Sequence, residues 1–280
     1  MSILAGITTG ASRNGIRMVV MGQEKMGKTT FVAGAPGALL VPCEVGFAGV
    51  SCAKTQMIQS LEELWQFNSE VMQAVQAGNF PFRSIAYDSM TAIERHIHEY
   101  VLKQDPLYKP NSPKKSVTMD SAHGGYGKAY NLSNDYMAGL LSQWDQMAVY
   151  GGLNILLTCH TFAAKQIDPM AGEFDSWDLL LHSPKNQKTY GKREMVTQWA
   201  DIIGFLHDPI YISKANEKAV AIASSQGKGR VMGLNRTPSY TAGNRFGMTG
   251  ELPIPQEQGW NHFAHALYNA TRGTVDVYTR

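Results

Sequence analysis

Charge is scarce in this chain of 280 residues: Asp, Glu, Lys and Arg together make up 17% and nearly cancel, leaving a net charge of +2. No global basic field advertises a polyanion and no acidic run forms a solvating tail, so any nucleic-acid partner has to be held by local loops. Cysteine is rarer still. Cys43, Cys52 and Cys159 are odd in number and match no metal-ligand spacing, which argues against a disulfide framework and a zinc site. Cys43 and Cys159 each end an apolar run, where a small thiol packs well. Long apolar runs are also missing: none approaches the roughly 18 residues that span a bilayer, and Met1 to Arg17 lacks the ordered regions of a secretory signal. The expectation is a soluble, cytoplasmic protein with no membrane partner, long enough for one large α/β domain.

What is present is more specific. Gly22 to Thr29 reads GQEKMGKT, which satisfies GxxxxGKT at every fixed position, and it follows the apolar run Ile16-Arg17-Met18-Val19-Val20-Met21. Such a loop curls successive backbone N–H groups around phosphate oxygens, Lys28 reaches the outer phosphates, and Thr29 offers a hydroxyl to Mg2+. Lys28 to Ala33 reads as a helix start, whose dipole also faces the anion. Gly22, Gln23, Glu24, Lys25, Met26, Gly27, Lys28, Thr29 and Thr30 are therefore the expected nucleotide-binding residues, for ATP with Mg2+.

Apolar runs recur at Arg17 to Met21, Ala38 to Cys43, Ser84 to Tyr87, Leu153 to Cys159 and Ile202 to Leu206, with helical periodicity at Ser60 to Ala77, Thr91 to Lys103 and Asn131 to Tyr150. That alternation predicts an α/β fold with a mostly parallel central sheet flanked by helices. Shorter pieces at Tyr211 to Ser213, Ala219 to Ala223 and Arg230 to Leu234 predict antiparallel edge strands near the C-terminus. The chain divides into an extension, 1–13, a domain, 14–255, and a tail, 256–280. Two turn-rich stretches, 104–128 and 161–193, interrupt the domain, and loops of that length are usually functional or disordered.

Several strand ends carry chemistry. Ile85-Ala86-Tyr87-Asp88 is an apolar strand closing on an acid, the form that holds Mg2+ through its water shell, so Asp88 joins Thr29 as the expected metal site. Glu44 follows Leu39 to Cys43 and is placed to orient or deprotonate an attacking water. His160 ends the strand Asn154 to Cys159 and is placed to sense the outer phosphate. Lys228 and Arg230 open a late strand, from which basic groups can reach a neighbouring subunit's phosphate and stabilise transition-state charge.

Together GQEKMGKT, VPCEVG, SIAYDSM and NILLTCH resemble the RecA-like ATPase core, over roughly residues 14 to 255. The likeness is nearest to phage Sak-type proteins, ATP-binding single-strand annealing proteins, and RVMGLNRTPSYTAGNRFGM looks like their C-terminal segment. The resemblance implies that Glu44 is the catalytic glutamate, Asp88 the Walker-B acid and His160 the polar sensor. It also implies that the two long stretches correspond to DNA-contacting loops. In those loops Lys109, Lys114, Lys115, Tyr126, Lys128, Lys188 and Lys192 suit backbone neutralisation with base stacking. The implied protein is an ATP-hydrolysing recombination protein of the bacteriophage host's cytoplasm. It acts on single-stranded DNA as a ring or filament of identical subunits, with a single-stranded DNA-binding protein as a further partner. The sequence departs from the family in having Pro42-Cys43 before Glu44 and His160 at a position often Gln. Two other readings stay open, a P-loop kinase for a small molecule and a nucleotide switch with vestigial hydrolysis.

Overall fold

Strict alternation along five buried strands builds the centre of the molecule. In β1 (Arg17–Gly22), Met18 and Val20 face one side of the sheet and Val19 and Met21 the other. The same split recurs in β2 (Ala38–Pro42), β4 (Ser84–Asp88), β5 (Asn154–Cys159) and β8 (Ile202–His207). Both faces are therefore covered by helices, as continuous apolar runs require. Each fully buried Leu, Ile or Val contributes about 1.5–3 kcal/mol. The structure, a computed structural model, describes residues 15–110, 117–170, 172–184, 190–213, 218–221 and 229–277.

Among the described residues the main sheet has nine strands. The parallel set runs β8-β1-β5-β4-β2 and ends in the two-residue β3 (Ala53–Lys54). Beyond β8 lie β11 (Arg230–Gly233) and then β13 (Glu251–Ile254), each antiparallel to its neighbour, and β12 (Gly243–Asn244) pairs with the start of β8. A second antiparallel pair, β9 (Ile210–Ser213) with β10 (Lys218–Ala221), stands apart from the sheet. The expected α/β architecture with antiparallel strands near the C-terminus is what the chain adopts.

One face carries α2 (Leu61–Gln76), α3 (Met90–Lys103), α4 (Lys128–Val149) and α5 (Lys192–Trp199), which bury Leu61, Leu64, Ile93, Ile97, Leu140, Trp144 and Val196. Ser60 caps α2 by accepting from Glu63 N, and Ser89 caps α3 by accepting from Ala92 N. The other face carries α1 (Lys28–Ala33) and α6 (Gly259–Ala270).

Two segments depart from expectation. Residues 256–280, expected as a tail, contain α6, whose Trp260 and Phe263 pack on Phe31 of α1 at ring-centroid distances of 5.4 and 5.7 Å, so this helix completes the core. The stretch 161–193 is no irregular loop. Most of it is a hairpin of β6 (Thr161–Asp168) and β7 (Gly172–Leu179), followed by α5. The hairpin leaves the body directly after β5, and its base is stitched to residues 239–241 by Trp177 N to Ser239 O and Thr241 N to Trp177 O, both 2.8 Å.

Candidate nucleotide site

The parallel strands deliver their polar ends to one edge of the sheet. Gly22 leaves β1 so close to β8 that a Cβ there would lie 2.5 Å from Leu206 O, which excludes any side chain. The loop turns through Lys25 (φ 62°) and Gly27 (φ 82°) into α1. Lys28 is buried, and its Nζ donates to Gly22 O at 2.7 Å and Gln23 O at 2.8 Å, which pins the ammonium across the mouth of its own loop. Burial lowers its pKa, an effect opposed mainly by Asp88. A buried ammonium whose partners are carbonyls rather than a carboxylate keeps its charge available for an anion.

Asp88 closes β4 and takes two hydroxyl donors: Thr29 Oγ1 at 2.9 Å on one oxygen and Thr158 Oγ1 on the other. Thr158 lies on β5, so three neighbouring elements fix this carboxylate. The pairing of Thr29 and Asp88 is the hard-oxygen donor set that Mg2+ accepts alongside phosphate and water. Among the described residues no group of three or more His, Cys, Asp or Glu is placed to hold a metal ion.

Glu44 sits beside Asp88, just past β2, and both its oxygens are engaged. Oε1 accepts from Ser89 Oγ and from His160 Nε2, each at 2.7 Å, and Oε2 accepts from Arg95 Nη2 at 2.7 Å. Burial pushes the carboxyl pKa up, but the hydrogen bonds from His160, Ser89 and Arg95 outweigh it and hold the pKa at about 2. His160 thus meets Glu44 directly. Ser89 does two jobs, capping α3 and orienting Glu44. Ser89 and Arg95 escaped the sequence reading; the signal for Ser89 was its place as a cap directly after the strand-ending acid, whereas nothing local marks an exposed Arg on a helix.

The remaining expected site residues divide. Arg230 lies against its own chain: Nη1 donates to Met26 O at 2.7 Å and Nε to Ile254 O at 3.3 Å. Lys228, Lys114, Lys115 and Lys188 lie outside the described residues. Lys109, Tyr126 and Lys128 are exposed on the 104–128 stretch, with Tyr126 at 99%. His123 to Gly127 all have positive φ, a conformation uncommon for the non-glycine residues His123 and Tyr126. Lys192 does not face DNA. It is fully buried at the start of α5, with Nζ 3.6 Å from Glu94 Oε1 of α3 and 6.0 Å from the ring centroid of Tyr130 on α4, the helix that α5 packs against.

The Asn244-Arg245-Phe246-Gly247 motif lies away from the nucleotide loop, beside the start of β8. Asn244 Nδ2 donates to Leu234 O and Met248 O, its Oδ1 accepts from Phe246 N and Met248 N, and Arg245 binds Asp201 at 2.8 Å. A cleft of 630 Å3 opens there, lined in part by Arg17, Asp145, Asp201 and Arg245. Arg17 bonds to both aspartates at 2.7 Å, so these charges neutralise one another. Among the described residues no helix is long and apolar enough to cross a membrane.

A search of curated proteins returned no match. A family model described as an AAA domain matches residues 14–246, which takes in the phosphate loop, Glu44, Asp88, His160 and the antiparallel strand β11. A phosphate loop on the first central strand, an acid closing β4 and a hydroxyl beside it agree with that match. The chain belongs to the AAA-domain family of P-loop ATPases.

Proposed function

We propose that this protein hydrolyses ATP to ADP and phosphate with Mg2+ and couples that reaction to single-stranded DNA, as an oligomeric annealing or strand-pairing protein of the Sak type. The observation that carries the coupling is the 2.7 Å bond between Glu44 and His160. His160 N in turn donates to Thr91 Oγ1 at 3.2 Å, and His160 O accepts from Leu180 N at 2.9 Å. A residue touching the catalytic carboxylate is therefore also the root of the β6–β7 hairpin.

Thr29 and Asp88 would hold Mg2+, which neutralises phosphate charge when bound. Lys28 and the loop N–H groups hold the phosphate chain. Glu44, with its pKa near 2, is a poor proton acceptor at neutral pH and a strong hydrogen-bond acceptor, so its part is to orient the attacking water. That orientation depends on the three donors fixing its carboxylate. The hairpin then follows the state of the site through His160. Tyr126, Lys128 and Lys109 supply a stacking ring and cations from a second exposed segment.

A kinase reading would need arginines in a mobile lid over the phosphates. Here Arg193 is paired with Asp178 at 3.0 Å and Arg245 with Asp201 at 2.8 Å. The direct test is ATP turnover with and without single-stranded DNA at low and moderate salt, with DNA binding recorded in the same samples. Salt-sensitive binding with stimulated turnover is expected. Absence of both binding and stimulation with ATP, ADP and a nonhydrolysable analogue would remove DNA from the proposal and leave the ATPase.

A further inference from the structure

Arg230 is a half-buried cation with no counter-charge among the described residues. Among the described residues no carboxylate lies within ion-pair distance of it, and burial lowers its pKa with nothing acting to raise it. Its contacts are backbone carbonyls: Met26 O in the phosphate loop and Ile254 O at the end of β13. The guanidinium lies on the loop so closely that a Cβ on Gly27 would fall 1.7 Å from Nη1. On its other side, a Cβ on Gly259, the first residue of α6, would fall 3.9 Å from Nη2. Nη2 itself is buried and, among the described residues, has no hydrogen-bond partner.

An uncompensated cation in such a place is costly unless an anion shares its field. The anion for which the adjacent loop is built is a nucleotide's phosphate chain. Nη1 donates to a loop carbonyl, so it braces the loop while its positive charge adds to that of Lys28. The brace also explains Gly27: the glycine leaves room for the guanidinium and permits φ 82°.

We infer that Arg230 is a positioning residue for the phosphate loop of its own subunit, and that β11, β13 and α6 thereby form the rear wall of the nucleotide site. This inference rests on ATP binding at the loop and is independent of any role for DNA. The residue holds the loop in shape for the phosphates and lends them charge; it does not cross to a neighbour. The C-terminal region is consequently part of the nucleotide-binding unit.

The test measures MgATP affinity and turnover for Arg230→Ala, Arg230→Gln and Arg230→Lys, together with a mixing experiment. Loss of one charge-assisted hydrogen bond corresponds to roughly ten- to a hundredfold in affinity. Arg230→Ala and Arg230→Gln are expected to lose that much for MgATP and much less for adenosine, with turnover at saturation little changed. Arg230→Lys, which keeps charge but not the fork, is expected to recover part of the affinity and guards against a variant that merely misfolds. At MgATP well below saturation, mixing Arg230→Ala with Lys28→Ala subunits should leave turnover per Arg230→Ala subunit unchanged, because each defect stays in its own site. A rise in that turnover toward the unaltered level would establish action across subunits and overturn the inference. So would unchanged MgATP affinity in Arg230→Ala, or an equal loss for adenosine and MgATP.

Discussion

Two glutamates bound to helix α3 meet opposite fates. Glu44 is tied to the helix by the cap Ser89 and by Arg95, and with His160 these donors outweigh burial and draw its pKa down to about 2. Glu94, on the helix itself, is buried, and burial drives its pKa up against weaker opposition from Lys192 at 3.6 Å and the backbone N–H of His182 at 2.8 Å. Burial alone does not decide the charge of a carboxyl; the number and closeness of its donors does. The region around Glu44 spends polar contacts on a permanently ionised acceptor facing the nucleotide loop. The region around Glu94 holds an imperfect pair: Lys192 Nζ is buried with no hydrogen-bond partner, 6.0 Å from the ring centroid of Tyr130, whose ring stacks on His182.

The sharpest way to separate these regions is to disable the first without disturbing the second. Lys28→Ala should reduce MgATP binding below detection in titration calorimetry while leaving the unfolding midpoint without ligand nearly unchanged; retained binding would mean the phosphate site is misplaced. Glu44→Gln should keep MgATP affinity within a few-fold and lower turnover by about 10²–10³-fold, the span for loss of one preorganised polar group. Turnover close to that of the unaltered protein would place the water-orienting acceptor elsewhere.

The second region should answer in stability rather than rate. Lys192→Met leaves Glu94 buried beside an apolar chain, and removing one partner of a buried pair costs about 3 kcal/mol or more. Urea unfolding should show that loss, with turnover per folded molecule retained at saturating MgATP. The double variant Glu94→Gln/Lys192→Met should recover most of it, since an uncharged pair has no desolvation cost to offset. A large fall in turnover by the double variant would mean that this cluster belongs to the catalytic region after all.

The same contrast explains what the sequence could reveal. Phosphate loop, acid-ended strand and strand alternation are local patterns, so β1, β2, β4, β5 and β8 and the placement of Lys28, Thr29, Glu44, Asp88 and His160 at one edge were legible residue by residue. The donors that define Glu44 were not, because Arg95 and Ser89 reach it across 51 and 45 positions. Lys192 looked like one more loop lysine, and only the packing of α5 on α4, which brings its side chain to Glu94, reveals it as interior. The hairpin β6–β7 was hidden by Pro169 and Gly172 at its tip and by polar residues, Lys165, Gln166, Glu173 and Asp175, along exposed strands, a composition that reads as loop. Helix α6 was missed for a different reason. Its partner Phe31 lies more than two hundred positions away, and no terminal cap announces the helix: Gln258 precedes it in a left-handed conformation with no side-chain cap.

The pH dependence sets the two clusters against each other at opposite ends of the scale. Glu44 is depressed from 4.5 to about 2, so its contribution to stability is complete above the higher value and disappears as the pH falls through the lower. Nothing in its titration should be visible from pH 6 to 10. Lys192 is depressed from 10.5 to about 8, chiefly by burial and despite Glu94. Between those values the folded protein binds fewer protons at this residue than the unfolded chain does. Stability therefore rises with pH across the interval, by at most about 1.4 kcal/mol per pH unit. Measured against the double variant Glu94→Gln/Lys192→Met, which carries neither group, the unaltered protein should gain relative stability in urea between pH 8 and pH 10. A flat difference would show that the ammonium of Lys192 is better satisfied than its contacts indicate. In Glu94→Gln, which removes the carboxylate that opposes burial, the gain should be larger than in the unaltered protein; a smaller gain would mean that burial is not what depresses the lysine.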